Sequence, residues 1–507
     1  MKRFIFLLII TLFISSSNAQ NITDALRYST EALNGTARFN AMSGAFGALG
    51  GDASAIAINP AGSAIFLNST GSASLSVVDK RNKATYFNTE SETSYSNLKF
   101  NQVGFVFVFN SPNQETVFNK ITLGFNYLST QNFDEDLFVY GNGDTSIGAF
   151  FLGQAQGTPL DLLQLQSGES ISDLYAYLGE TEGVSAQNAF LGYQGFIIDP
   201  VNPDDLNNTQ YFSNISPGDF NQAYSFQTDG YSGKYSFNIA AQINNSISFG
   251  INLNSNYFDY RQYTYLNETN SNLGSTVNQV GFENILYAYG RGFSAQFGAI
   301  GKVTDALRVG VTYDTPIWYN IYEETTQYLE SERIIDGSNV RTVVDPRVIN
   351  IFYKYELRTP WKIAGSAAYV FGKQGLLSFD YSYKDYSFNK FSPSNDPGFI
   401  SENNSIKNEL KGVSSYRLGG EYRIKQLSLR GGYLFEESPF KNNLTVGDLN
   451  GYSFGLGYTL GNYRFDFSFS STKQDREQQL YSVGLTDTAF VKAVNNNYVM
   501  TFAYEIN

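Results

Sequence analysis

From about Gly71 to its end the chain alternates apolar with small or polar residues, and it contains no run of the roughly 20 apolar residues that a membrane helix needs. Tyr235, Phe237, Ile239 and Ala241 interleave with Ser236, Asn238, Ala240 and Gln242. Ile247, Phe249, Ile251 and Leu253 interleave with Ser248, Gly250, Asn252 and Asn254. The rhythm returns at Phe293, Ala295, Phe297 and Ala299, at Leu307, Val309, Val311 and Tyr313, at Tyr463, Phe465, Phe467 and Phe469, and finally at Tyr498, Met500, Phe502, Tyr504 and Ile506. Successive side chains of a strand point to opposite faces, so each run has one apolar face and one polar face. A soluble β-sandwich alternates in the same way. Composition separates the two: 16% of the 507 residues are aromatic, and only 16% are charged, against about 25% in soluble domains. Few charges and many aromatics suit a wall whose every second residue touches lipid.

The N-terminus agrees with a membrane destination. Lys2 and Arg3 precede an apolar stretch from Phe4 to Ile14, and Ser17-Asn18-Ala19 supplies small residues for cleavage. Residues 1–19 therefore read as a signal peptide, too short in its apolar part to span a bilayer. A membrane protein without spanning helices must close a sheet on itself, because an open edge cannot face lipid. The fold expected is all-β: a transmembrane antiparallel β-barrel in the outer membrane of a Gram-negative bacterium.

Fourteen strands are predicted, at 71–82, 96–109, 120–131, 231–243, 246–265, 283–301, 306–320, 347–371, 374–388, 411–424, 427–437, 451–460, 463–472 and 495–506. Short turns such as Gly461-Asn462 alternate with longer polar connections, as periplasmic turns alternate with extracellular loops. Both termini are then periplasmic. The connection 132–230 exceeds an ordinary loop and reads as an extracellular insertion. Leucines recur there at roughly helical spacing, which predicts one or two short helices over the mouth. Leu162, Leu163, Leu174, Tyr175 and Leu178 are candidates either for a greasy capture groove or for packing that merely closes the pore.

Arg417, Glu421 and Arg423 share one strand face, and Arg430, Arg464 and Asp466 point inward from the next strands. Such a mixed ladder knits a lumen together or holds something within it. With no Cys and no His, thiol chemistry, disulfides and His-based catalysis are excluded, and the net charge of −13 argues against a nucleic-acid partner. Asp134-Glu135-Asp136, Asp204-Asp205 and Glu323-Glu324 read as solvated loop charges, with weak Ca²⁺ binding as the alternative. No enzymatic activity, cofactor or metal is expected.

Residues 20–70 are unlike the wall. Residues 41–62 are dominated by Gly, Ala and Ser, which pack backbone closely, and Pro60 pushes Asn59 into an extended conformation. No Gly-Lys-Ser/Thr follows the glycines, so they are not a phosphate loop. Here the sequence resembles the FadL/TodX (OmpP1) family of outer-membrane transporters of hydrophobic compounds. The resemblance rests on Gly35-Thr36-Ala37-Arg38-Phe39, Gly44-Ala45-Phe46, Ala48-Leu49-Gly50-Gly51-Asp52 and above all Asn59-Pro60-Ala61-Gly62. Thr359-Pro360-Trp361, Ala364-Gly365 and Tyr369 extend it to a late strand. The resemblance implies an N-terminal plug (20–70) inside the barrel (71–507). Arg38, Phe39, Phe46, Gly50, Gly51, Asp52, Asn59, Pro60, Ala61 and Gly62 are then plug or gate residues. It also implies that a ligand such as a long-chain fatty acid is caught outside, passed to a pocket above the plug and released through an opening in the wall. Two features depart from the family: the chain ends in Tyr504-Glu505-Ile506-Asn507 rather than an aromatic, and the insertion matches no family motif. The partners expected are a hydrophobic small molecule and the lipid and lipopolysaccharide of the outer membrane, with the barrel acting as a monomer. The alternative function is a scaffold or shuttle in protein secretion, since a type IX secretion component resembles the same family.

Overall fold

In lipid every backbone N–H and C=O must find a partner on a neighbouring strand, and this chain meets the requirement by closing its sheet. The computed structural model describes residues 21–112 and 116–506. The expected signal peptide and the start of the mature chain at Gln20 lie outside the described residues, as do Asn507 and part of the turn at Ser111–Asn119. The wall is a closed antiparallel barrel of 14 strands. Its first four strands are β1 (Ser69–Tyr86), β2 (Thr89–Asn110), β3 (Phe118–Asn132 continued by Glu135–Gly143) and β4 (Phe220–Ile243). Next come β5 (Ile247–Thr269), β6 (Val277–Lys302), β7 (Leu307–Asp314 continued by Trp318–Ile335) and β8 (Tyr355–Arg358 continued by Lys362–Phe371). The remaining strands are β9 (Gly375–Asp385), β10 (Gly412–Ile424), β11 (Leu427–Glu436), β12 (Leu449–Leu460), β13 (Tyr463–Gln479) and β14 (Thr488–Ile506). Closure is the β1–β14 ladder, which runs from Ser69↔Ile506 to Thr85↔Phe490.

The alternation sorts as expected. Phe237, Ile239, Phe249, Ile251, Leu253, Phe465 and Met500 stand on the outer surface, while Ser236, Asn238, Asn252, Asn254 and Ser468 are buried inside. Two of the wall's interruptions have a simple cause. Pro316 and Pro360 lack the N–H that a ladder needs, so β7 breaks at 315–317 and β8 at 359–361. Threonine hydroxyls mend the damage: Thr315 Oγ1 accepts from Ala295 N at 2.9 Å, and Thr359 Oγ1 accepts from Ile317 N at 2.9 Å.

The wall reaches further into 132–230 than the sequence suggested. β3 continues to Gly143 and β4 begins at Phe220, so the separate insertion is 144–219. In Glu135–Gly143, Leu137 and Val139 are buried while Phe138 and Tyr140 are exposed, so both faces are apolar there and the period-two signal is lost. The insertion holds three helices, α3 (Gly148–Ala155), α4 (Ile171–Thr181) and α5 (Val184–Gln194), in place of one or two. They pack with Tyr86 of β1, Leu137 and Val139 of β3, Phe282 of β6 and Leu329 of β7 into one apolar cluster.

Residues 21–66 lie inside the barrel, in contact with the inner faces of many strands. Close approach is possible because wall glycines stand where backbone meets backbone. A Cβ on Gly298 would sit 2.0 Å from Asn59 Oδ1, one on Gly250 2.3 Å from the Pro60 carbonyl carbon, and one on Gly310 2.4 Å from the Gly47 oxygen. The replacement Gly298→Leu is therefore expected to expel the Asn59–Pro60 turn while leaving the ladder intact. The variant should keep the heat-modifiable gel mobility of a folded barrel and conduct ions in a planar bilayer well above the parent. Parental conductance would show that the plug does not depend on this contact.

Candidate functional site

The lower half of the plug is fastened by capped turns and buried charges. Asn59 caps the turn that begins at Pro60, accepting from Ala61 N at 3.1 Å, while its Nδ2 donates to Gly47 O at 2.7 Å and to Ala299 O of β6 at 3.2 Å. One side chain thus joins two plug loops to the wall. Gly50 and Gly51 adopt φ of +59° and +65°, a left-handed region open to glycine, and Gly51 N donates to Gly62 O. Thr36 caps the short helix α2 (Ala37–Ala41), and its hydroxyl donates to Asp52 at 2.8 Å. Phe39 and Phe46 meet at 5.5 Å in a small apolar cluster with Met42 and Leu49. Ala61 and Gly62 are buried in the same turn as Pro60.

Arg38 carries the electrostatic lock. Its Nε donates to Glu421 at 2.8 Å. Glu421 also receives Arg430 at 2.7 Å and Arg423 at 2.6 Å, and Arg430 reaches Asp466 at 2.6 Å. Arg464 bridges Asp466 at 2.8 Å and plug Asp52 at 3.8 Å. The inward ladder seen in the sequence therefore does both things considered for it: it knits three strands together and grips the plug. Removing one member of such a buried network strands the others at a cost of about 3–5 kcal/mol. The apolar inner face of β2 also belongs to the plug, since Val106 packs with Ile56 and Phe66.

The upper half of the plug is held differently. Helix α1 (Ile22–Arg27) starts with a capping box between Asn21 and Asp24. Arg27 lies 4.2 Å from the Tyr260 ring, and Tyr28 stacks on Phe258 at 4.0 Å. These residues enter an apolar cluster that fills the lumen, with Phe133, Tyr319, Tyr355, Phe391 and Phe399. Phe133 sits at the interruption of β3 and meets Tyr260 edge-on at 5.3 Å.

At that interruption the wall lacks a ladder. β2 and β3 pair only from Gln102↔Leu128 to Asn110↔Lys120. Beyond it, β3 pairs with β4 alone and the rest of β2 pairs with β1 alone. Side chains substitute for the missing rungs: Asn97 donates to Asp134 at 3.1 Å, Lys99 pairs with Asp134 at 2.5 Å, and Thr93 donates to Asp136 O at 2.7 Å. The acidic run at 134–136 is therefore partly consumed in closing this break, Glu135 being paired with Arg476. From inside, residues 29–35 of the plug lie across the break as a bar. Ala32 N donates to Thr130 O at 2.8 Å and Asn101 Nδ2 donates to Gly35 O at 2.7 Å. The strand pattern of the sequence gives no sign of this break, because a missing ladder belongs to the pair of strands and not to either one.

Beside the bar lie two small cavities of about 60 and 40 Å³ that share Glu31, Lys362 and Lys384. Glu31 meets Lys234 at 3.3 Å and Lys362 at 4.0 Å, and Lys362 also pairs with Asp314 at 2.8 Å. Lys234, then Lys362 and Lys384, hold the Glu31 carboxyl well below the usual carboxylate range. The insertion residues fall elsewhere: Leu163, Leu174, Tyr175 and Leu178 are buried in the insertion's own core and Leu162 packs at its edge.

Residues 208–505 match the family model described as outer membrane protein transport protein (OMPP1/FadL/TodX). The chain belongs to this family. It is accordingly an outer-membrane protein of a family that transports hydrophobic compounds, and not an enzyme. No curated protein matches the FadL/TodX member described here in sequence. Its fold is shared with a FadL homologue of Pseudomonas aeruginosa, at 10% identity and a TM-score of 0.58, over 94% of this chain and 100% of that one. The toluene transporter TodX of P. putida aligns at 12% identity and a TM-score of 0.51, over 94% and 100%.

Replacing Asn59 with Ala removes three hydrogen bonds, a loss of about 0.5–1.5 kcal/mol each. Amide hydrogen exchange across residues 44–62 is expected to accelerate, with exchange in β5 and β6 unchanged. Parental protection at 44–62 would mean that the glycine contacts alone hold the turn.

Proposed function

We propose that this protein takes up hydrophobic compounds such as long-chain fatty acids and releases them sideways into the membrane through the break between β2 and β3. The observation that carries this reading is the break itself, an unpaired stretch of wall backed by apolar side chains and barred by a piece of the plug. A long acyl chain gains about 0.8 kcal/mol per CH₂ buried, so an apolar lumen beside a lateral exit suits it better than an aqueous pore. On this reading the insertion 144–219 is extracellular. Leu162, Leu163, Leu174, Tyr175 and Leu178 supply the capture surface when their core opens. The lumenal aromatic cluster receives the chain, and residues 29–35 gate the exit while the Asn59–Pro60 turn and the Arg38–Glu421 lock keep the aqueous path shut. The barrel works as a monomer in contact with lipid and lipopolysaccharide. The aromatic lining beside the break favours uptake over a secretion scaffold.

The chain has no Cys, so an introduced pair is unambiguous. Ala32→Cys with Thr130→Cys places a cross-link across the bar. Uptake of a fluorescent long-chain fatty acid by cells is expected to stop on cross-linking and to return on reduction. Full uptake by the cross-linked form would exclude this exit. Protease added to intact cells should cut within 144–219 before any short turn, and the reverse order would invert the orientation.

A further inference from the structure

We infer that Lys234, Lys362 and Lys384 form a carboxylate site which the plug's own Glu31 occupies in the closed protein, and that the carboxylate head of an amphiphilic ligand takes Glu31's place. The inference rests on the uptake reading and adds to it a chemical class and a trigger. The three lysines come from three different strands, β4, β8 and β9; Lys234 and Lys362 pair with one side chain of a separate element, and Lys384 lines the same cavity. Lys362 has a second acidic partner in Asp314, whereas among the described residues Glu31 is the one carboxylate within ion-pair distance of Lys234. Lys384 is turned onto the plug backbone and donates to Ser29 O. A cation cage enclosed inside the barrel needs an anion, and Glu31 is the anion that the closed plug provides.

Glu31 can leave. Its side chain is 35% exposed, towards the adjoining cavities, whereas Glu421 in the lower lock is fully buried. Cavities of about 60 and 40 Å³ beside Glu31 leave room for a carboxylate and ordered water. Their walls do continue into the apolar cluster: Tyr386 and Val413 line one cavity and Ile317 the other, and all three pack in or against that cluster. The head therefore meets lysine while the chain meets aromatic rings.

Exchange also acts on the exit. Glu31 lies one residue from Ala32, whose N–H is the bar's bond to Thr130 at the broken rung, and two from Ser29, whose carbonyl Lys384 holds. A ligand that claims the lysines withdraws two of the fastenings of residues 29–35 at once, and the lower lock at Arg38 is untouched. A neutral compound entering the same lumen has no group with which to displace Glu31.

The test compares oleate with methyl oleate on the protein in nanodiscs, for the parent, Glu31→Gln, Lys234→Met and Lys234→Arg, with heat-modifiable mobility confirming assembly. Oleate is expected to bind Glu31→Gln about five- to tenfold more tightly than the parent and Lys234→Met weaker by about the same factor, with Lys234→Arg close to the parent. The ester should bind all four alike. Oleate, and not the ester, should accelerate hydrogen exchange over 29–36 in the parent. Equal affinities of oleate for the parent and Glu31→Gln, or exchange accelerated equally by the ester, would overturn the inference while leaving hydrophobic uptake standing. Failure of the parent to bind either probe would overturn both.

Discussion

A strand in lipid has no water to satisfy its backbone, and the whole wall is organised by that fact. Its ladders close between β1 and β14, and strand after strand exposes Phe, Tyr, Leu, Ile and Val on the outer surface. Each departure from the ladder then needs a substitute, and the substitutes differ. At Pro316 and Pro360 the repair is local, with threonine hydroxyls standing in for the missing rungs. Between β2 and β3 it is not local. Side chains at Asn97, Lys99 and Thr93 and a piece of the plug make the closure, so that part of the wall is only as tight as the plug's own attachments.

Those attachments divide the plug in two. Below, glycines in β5, β6, β7, β10 and β11 let backbone lie on backbone, and Arg38, Glu421, Arg430, Asp466, Arg464 and Asp52 form a continuous charge network in the interior. Desolvated ions satisfied from several sides are expensive to separate, and close-packed backbone has no side chains to yield. Above, residues 29–35 are held by single hydrogen bonds and by lysines that share one partly exposed carboxylate. Local opening draws on the least-secured segments of a structure. On the proposed route this division lets residues 29–35 move while the lower fastenings hold.

The amphiphile proposed as ligand fits this gradient of environments. From the insertion's leucines and aromatics through the Phe258–Tyr260 cluster to Phe133 at the break, the interior offers apolar and aromatic surface; the lysine cage lies to one side. Aromatic side chains present a large apolar body with little conformational freedom to lose, so a chain can be passed along them without a deep trap.

Period-two alternation, once composition and the N-terminal segment had set aside a soluble sandwich, determined the barrel, its strand number and which residues face lipid, because the two faces of a membrane strand meet opposite solvents. The Gly/Ala/Ser composition marked residues 41–62 as unlike the wall, the family resemblance carried by Asn59-Pro60-Ala61-Gly62 implied a plug, and the inward charges at 417–466 read either as a ladder knitting the lumen or as a grip on that plug. The full extent of β3 and β4 escaped the sequence, since the run Leu137-Phe138-Val139-Tyr140 is apolar on both faces and carries no period of two. So did the break beside Phe133: a missing ladder is a property of two strands and their relative course, and neither strand alone records it. Leu163, Leu174, Tyr175 and Leu178 read equally as groove or core until packing placed them in the core. Glu31 is one acid in a polar stretch of sequence. Only the folding of the plug into the barrel brings it among lysines that lie 203, 331 and 353 residues further along the chain (234 − 31, 362 − 31 and 384 − 31), and a cage assembled from such distances has no sequence pattern to betray it.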